Sequence, residues 1–115
     1  MVTSTTSYGA GGNDVYLIKI DSSGTLEWAK PYGGAGEDYG RSVRQTKDGG
    51  YIITGSTSSF PQGGPAKDYL IKTSPDGSLV WSNVLGDGLY FNNGLSVQQT
   101  LDDGYILTGL SLIHI

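Results

Sequence analysis

The chain has no cysteine, one histidine and only 16% charged residues over 115 positions. Without cysteine there are no disulfides and no thiolate metal sites. The lone histidine, His114, stands in the C-terminal LSLIHI, so no triad and no paired imidazole acid–base chemistry is expected. Seven basic residues against eleven acidic ones leave a formal net charge of −4. Phosphate recognition needs a basic footprint, so nucleic acid is excluded as an expected partner and an anionic membrane surface is disfavoured. No apolar run approaches the roughly 18 residues of a membrane span. The opening MVTSTTSYGAGG has neither the basic start nor the apolar stretch of a signal peptide, so any export signal is expected outside this chain. Helical periodicity is missing as well. No segment repeats apolar residues at i, i+3 and i+4 over three turns, and no helix of note is expected.

What the chain does have is glycine, 19 of its 115 residues, against an average usage of about 7%. Glycine reaches positive φ without steric penalty. Together with eight tyrosines and two tryptophans, and many Ile, Val and Thr, it suits short strands joined by tight turns.

The chain also repeats itself. SVRQTKDGGYIITG (42–55) returns as SVQQTLDDGYILTG (96–109), and DVYLIKIDSSGTLEW (14–28) returns as DYLIKTSPDGSLVW (68–81). AKPYGGAGEDYGRSV (29–43) matches SNVLGDGLYFNNGLSV (82–97), and TTSY (5–8) matches TSSF (57–60), for a period of about 53. The intact middle copy reads as four strands, 41–46, 51–57, 68–73 and 79–85. Tight turns at 47–50 and 74–78 alternate with longer loops at 58–67 and 86–94. Asp-Gly and Pro-Asp-Gly between apolar stretches are hairpin signals, because Gly tolerates the left-handed region and Pro presets φ.

The expected fold is all-β: two consecutive four-stranded antiparallel β-propeller blades, a partial propeller with an up-and-down meander. A β-sandwich with accidental internal similarity is the competing architecture. The chain forms one repeat-built domain, 1–115. Residues 1–40 supply strands three and four of an incomplete blade, 41–85 a complete blade, and 86–110 strands one and two of the next. Residues 111–115 form a tail outside the repeat. Propellers have about four to eight blades, so the chain is expected to be a fragment of a longer propeller. Otherwise copies of it close a ring head to tail, or it stands alone with exposed, aggregation-prone strand edges.

YGGAGEDYGRSVRQTKDGGYIITGSTSSF resembles the glycine-rich repeats of secreted bacterial and archaeal β-propellers, in particular the SBBP-type repeats, over about residues 5–111. The hairpins ending in Trp28 and Trp81 are similar to the tryptophan-docking turns of quinoprotein-like propellers. The resemblance implies that each glycine, Gly24 and Gly77, turns a hairpin and that the tryptophan four residues later packs between blades. It implies a fold and no chemistry. The Asp-to-Gly spacing departs from that family, so the hairpins are read as an analogous device.

A meander places the long loops on one side and the tight turns on the other, and binding residues usually lie on loops. The candidate binding face is therefore Glu37, Asp38, Tyr39, Phe60, Gln62, Asp87, Tyr90, Phe91, Asn92 and Asn93. Its competing reading is that Tyr39, Tyr90 and Phe91 plug gaps between blades. Trp28 and Trp81 are read as structural inter-blade packing, not as sugar platforms. The run Gly34-Ala35-Gly36-Glu37-Asp38-Tyr39-Gly40 lacks the following helix that a dinucleotide loop needs. Glu37-Asp38 and Asp102-Asp103 are read as solvated turn acids, since a glycosidase pair must face one substrate. The turns at 21–24 and 76–77 offer too few oxygens for Ca²⁺. The expected packing set is Leu17, Ile18, Trp28, Val43, Ile53, Leu70, Ile71, Trp81, Val97 and Ile106.

These readings lead to a non-catalytic structural or interaction module of a secreted or cell-surface propeller, with no cofactor and no metal. Its expected partners are neighbouring blades of a longer chain or copies of itself, and beyond these a protein or glycan, without membrane insertion. A carbohydrate-binding propeller, lectin-like or glycosidase-associated, is the alternative. A quinone-cofactor oxidoreductase is the remote third.

Overall fold

A computed structural model of the chain describes residues 2–5, 12–59, 62–85 and 91–111, with side chains described for 12–58, 67–85 and 96–107. Among the described residues the secondary structure is strand and turn, with no helix. The strands are β1 (Val2–Thr5), β2 (Asp14–Ile20), β3 (Leu26–Tyr32), β4 (Asp38–Gln45), β5 (Tyr51–Ser59), β6 (Gln62–Thr73), β7 (Leu79–Leu85), β8 (Phe91–Gln99) and β9 (Tyr105–Ser111). They form three antiparallel meander sheets in succession, of order β1-β2-β3, β4-β5-β6-β7 and β8-β9.

Four tight turns set the registers, and all four are built alike. In the turn at 46–50, Thr46 N–H donates to the Gly50 carbonyl at 2.9 Å and Gly49 N–H to the Thr46 carbonyl at 3.0 Å. The same two bonds close 21–25, 74–78 and 100–104. The fourth position is left-handed each time, with φ of +87° at Gly24, +85° at Gly49, +83° at Gly77 and +66° at Asp103. This is a type I turn followed by a bulge residue at positive φ.

Side chains complete each turn. The carboxylates of Asp48, Asp76 and Asp102 accept from the hydroxyls of Thr46, Ser74 and Thr100. They also accept the backbone N–H of Gly50, Ser78 and Gly104, at 3.0, 3.1 and 3.2 Å. In the first turn the two ends are exchanged: Asp21 now opens the turn, and accepts from the Ser23 hydroxyl at 2.6 Å and from Thr25 N–H at 2.9 Å.

The sheets stack face to face. The first and second enclose Val15, Leu17, Tyr32, Ile53, Tyr69 and Ile71, with Trp28, Val43, Tyr51 and Val84 against them. The second and third enclose Ile52, Leu70 and Val97, with Trp81, Leu85, Tyr105 and Leu107 against them. The middle sheet is thus covered on both faces, and alternation along β5 sends Ile52 one way and Ile53 the other.

Four expectations are corrected. The segment 58–67 is not a loop: β5 and β6 continue their ladder to Ser59 opposite Gln62. A register shift between Thr57 and Ser59 lets the ladder resume beyond Gly63 and Gly64, which stand between the paired Gln62 and Lys67. The segment 86–94 is strand from Phe91 onward, and the expected first strand at 41–46 begins earlier, at Asp38. Ile106, expected in the core, is 60% exposed, because among the described residues no sheet lies over the outer face of β9. Leu17, Ile53, Leu70, Ile71 and Val97 are buried as expected. Residues 112–115, with His114, lie outside the described residues.

Candidate functional site at the sheet junctions

The candidate face does not assemble as one surface. Asp38 is fully buried at the start of β4. Its backbone N–H donates to the Asn13 carbonyl at 2.7 Å. Its carboxylate accepts from the Thr57 hydroxyl and, at 3.2 Å, from Gly34 N–H. Glu37 is exposed but accepts Asn13 N–H at 3.0 Å and the Tyr39 hydroxyl at 3.3 Å. The half-buried Tyr39 hydroxyl also accepts from the Asn13 amide at 3.2 Å, and the Arg41 guanidinium carbon lies 5.8 Å from its ring centroid, within cation–π range. These three residues fasten the entry of β2 to the first strand of the next sheet. Gln62, Phe91, Asn92 and Asn93 belong to strands, not loops, and their side chains lie outside the described set. Phe60, Asp87 and Tyr90 also lie outside the described residues.

Buried acids at this junction escaped the sequence reading. Asp14 and Asp38 are both 0% exposed. They converge where a side chain on Gly33, at φ +152°, would collide with both carboxylates. Glycine at 33 is therefore required by space as well as by backbone angle. Their charge reaches Tyr69, whose hydroxyl is pushed up first by burial and then by Asp38 and Asp14, with the Ser82 hydrogen bond opposing. Asp68, 8% exposed, has its carboxyl pushed up by burial. A partial signal was there: Asp-Tyr occurs at 38–39 and 68–69, and the repeat sets Asp14 of DVYLIKI against Asp68 of DYLIKT. Two buried carboxylates supply only part of the six or more oxygens Ca²⁺ takes. Among the described residues no group of three His, Cys, Asp or Glu gathers to hold a metal.

On the tight-turn side, Lys72 is 5% exposed. Its ammonium donates to the Asp48 carboxylate at 3.1 and 3.3 Å and to the Thr73 carbonyl at 2.8 Å. Asp48 is held well below the usual carboxylate range by the Thr46 hydroxyl, then Gly50 N–H, then Lys72. The neighbouring Lys47 reaches across to the third sheet, with its ammonium 3.0 Å from Asp103 and its backbone N–H 2.8 Å from the Gln99 amide oxygen. A shallow crevice of about 450 Å³ lies between them, lined by Lys47, Asp48, Lys72, Gln99, Asp103 and Tyr105. Its charges are mutually satisfied, which leaves a ligand little to compensate.

The feature that recurs at both junctions is aromatic. Trp28 meets Tyr51 edge to face, with centroids 6.0 Å apart and planes at 65°. Trp81 meets Tyr105 at 5.9 Å and 65°. The Trp28 ring also lies on Gly77, where an added Cβ would sit 2.7 and 2.9 Å from Cζ3 and Cη2. Nearby, the Tyr32 hydroxyl donates to the Gly77 carbonyl; burial, then Asp76, push it up to about 12. The tryptophan of one hairpin thus seats on the glycine turn of the next. No protein-family model matches the chain, and no curated protein matches it either.

Proposed function

We propose that the chain is a non-catalytic structural and interaction module, built of blades of the propeller type, whose work is done by sheet-on-sheet stacking. One observation carries this reading: the two junctions repeat the same aromatic pair at equivalent positions, Trp28–Tyr51 and Trp81–Tyr105, at nearly the same separation and angle. A device written twice in sequence and used twice in space is a means of adding units, and edge-to-face pairs contribute about 0.5–1.5 kcal/mol beyond burial. The side chains best suited to chemistry favour the same reading. Asp14 and Asp38 are closed off from any substrate, and Glu37 and Tyr39 are spent on internal bonds. Placement outside the cell rests on the likeness to secreted glycine-rich repeats.

The lectin alternative is tested by titrating the chain with a panel of mono- and disaccharides, read by tryptophan fluorescence and amide NMR shifts. The expected outcome is no saturable response at Glu37, Tyr39 or Arg41. A saturable response that disappears in Tyr39→Ala moves the chain into the carbohydrate-binding class.

A further inference from the structure

The stacking device has two unfilled halves, and they match. Trp28 seats on Gly77. Gly77 has a repeat counterpart in Gly24, of nearly the same φ, +87° against +83°, yet an added Cβ at Gly24 would meet nothing within 4 Å. Conversely Trp81, the counterpart of Trp28, packs on Tyr105. Among the described residues, the sheet of β8 and β9 has no third and fourth strand to bring a glycine turn to it. Among the described residues, Trp81 therefore has no glycine seat and the glycine turn at Gly24 carries no tryptophan.

Strand edges and exposed apolar groups fall in the same places. In the middle sheet Tyr51 pairs with Thr73 and Ile52 with Lys72. The counterparts on β9 are Tyr105 and Ile106, and on β2 they are Ile20 and Lys19. β1 reaches along β2 only as far as Leu17, short of Lys19 and Ile20. Ile106 and Ile20 are 60% and 49% exposed, whereas their middle-sheet counterparts, Ile52 and Thr73, are both 0% exposed.

We propose that a second copy of this chain docks head to tail on the first, its β2–β3 hairpin lying along β9. Tyr105 pairs with Ile20 and Ile106 with Lys19 of the incoming copy, Trp81 seats on the incoming Gly24, and the two sheets merge into one of four strands. The inference rests on the stacking reading above, and the occupant follows from the chain itself, since its own hairpin carries the strand, the register and the glycine that β9 and Trp81 lack. The contact joins unlike surfaces, so it propagates to a closed ring or an open array. β1 competes with the second half of β9 for Asp14–Leu17 of the incoming strand, so the four-residue β1 is displaced on docking.

The test is sedimentation and light scattering of the whole chain over a concentration series, with two surface variants. The expected result is a mass above the 12.1 kDa of the single chain, growing with concentration. Ile106→Glu and Gly24→Asn should each raise the midpoint concentration by at least about tenfold, with amide spectra still those of a folded chain. Asn tolerates positive φ, so the second variant fills the seat without forbidding the turn. As a register check, Lys19→Cys and Ile106→Cys chains are mixed under oxidation; the native sequence has no cysteine. A covalent heterodimer supports the pairing. A chain that stays monomeric while the Trp28–Tyr51 contact persists by NMR overturns the association and leaves the stacking reading intact. An assembly indifferent to both variants, or one without the cross-link, overturns the proposed interface.

Discussion

At the scale of single residues, the tight turns are the most uniform chemistry in the molecule, and Asp103 is their exception. It holds at φ +66° the position that glycine holds in the other three turns. A left-handed residue with a Cβ costs roughly 1–2 kcal/mol, less for Asp, whose side chain bonds locally. Against this stands its pair with Lys47 at 3.0 Å, between side chains 49% and 76% exposed, and such pairs contribute little. Asp103→Gly should therefore stabilise the chain by about 0.5 kcal/mol in urea unfolding; a loss would mean that the bridge to Lys47 outweighs the backbone. The turn acids also set the acid limit. Hydroxyl and N–H donors lower the carboxyls of Asp21, Asp48 and Asp102, and that of Asp76 to about 2. A lowered folded value stabilises above the unfolded one and is lost as pH falls through the folded one. Stability should drop progressively from about pH 4 downward. Burial raises the Asp68 carboxyl, which acts in the opposite sense, its contribution being lost as pH rises through the folded value. Thermal midpoints between pH 2 and 6 check the sum, and Asp76→Asn should flatten the acid limb. An unchanged acid limb in that variant would show that the turn bonds do not carry it.

At the scale of elements, the hairpin turn and the tryptophan above it form one unit, and a matched pair of variants separates backbone from packing. Gly24 and Gly77 have nearly equal positive φ, but only Gly77 lies under the Trp28 ring. Gly→Asn costs about the same backbone strain at both sites. At Gly77 the new Cβ must also displace an indole packed against Tyr51, at roughly 1–3 kcal/mol for overpacking. The Gly77→Asn variant should unfold at distinctly lower urea than Gly24→Asn, both measured in dilute solution. Equal losses would remove the ring-on-glycine contact from the stability of the junction. These elements were largely legible beforehand, because repeat, turn chemistry and alternation pointed the same way at 51–57, 68–73 and 79–85. The continuation of β5 and β6 past residue 58 was not. Ser58, Ser59 and Gln62 lack the apolar alternation that marks a strand, and the ladder shifts register on the way to them. The buried Asp38 was hidden for a related reason: the pair Glu37-Asp38 reads as solvated turn acids until a neighbouring sheet closes over Asp38 and Asp14 together.

At the scale of the whole molecule, stacking decides what sequence pattern alone cannot. YII at 51–53 and YIL at 105–107 are nearly the same text, yet Ile52 is 0% exposed and Ile106 60%. The pattern says which face a side chain takes; whether a neighbour covers that face is a property of the stack. Local stability should follow the same order, since regions with few covered apolar contacts open at lower cost than the core. β5 and β6 sit in the interior of the middle sheet, with ladders on both sides and with Ile52, Ile53 and Ile71 at 0% exposure. Their amides at 52–54 and 69–72 should exchange slowest, near the rate of global unfolding. The four-residue β1, whose one ladder among the described residues is with β2, should exchange fastest, and β9, which among the described residues has a ladder with β8 and no other strand, should fall between. Native-state hydrogen exchange in dilute solution measures this gradient. If β9 proved as protected as β5, then either its open edge is covered or the chain unfolds as one indivisible unit, and exchange repeated with Ile106→Glu separates the two, because only covering depends on that side chain.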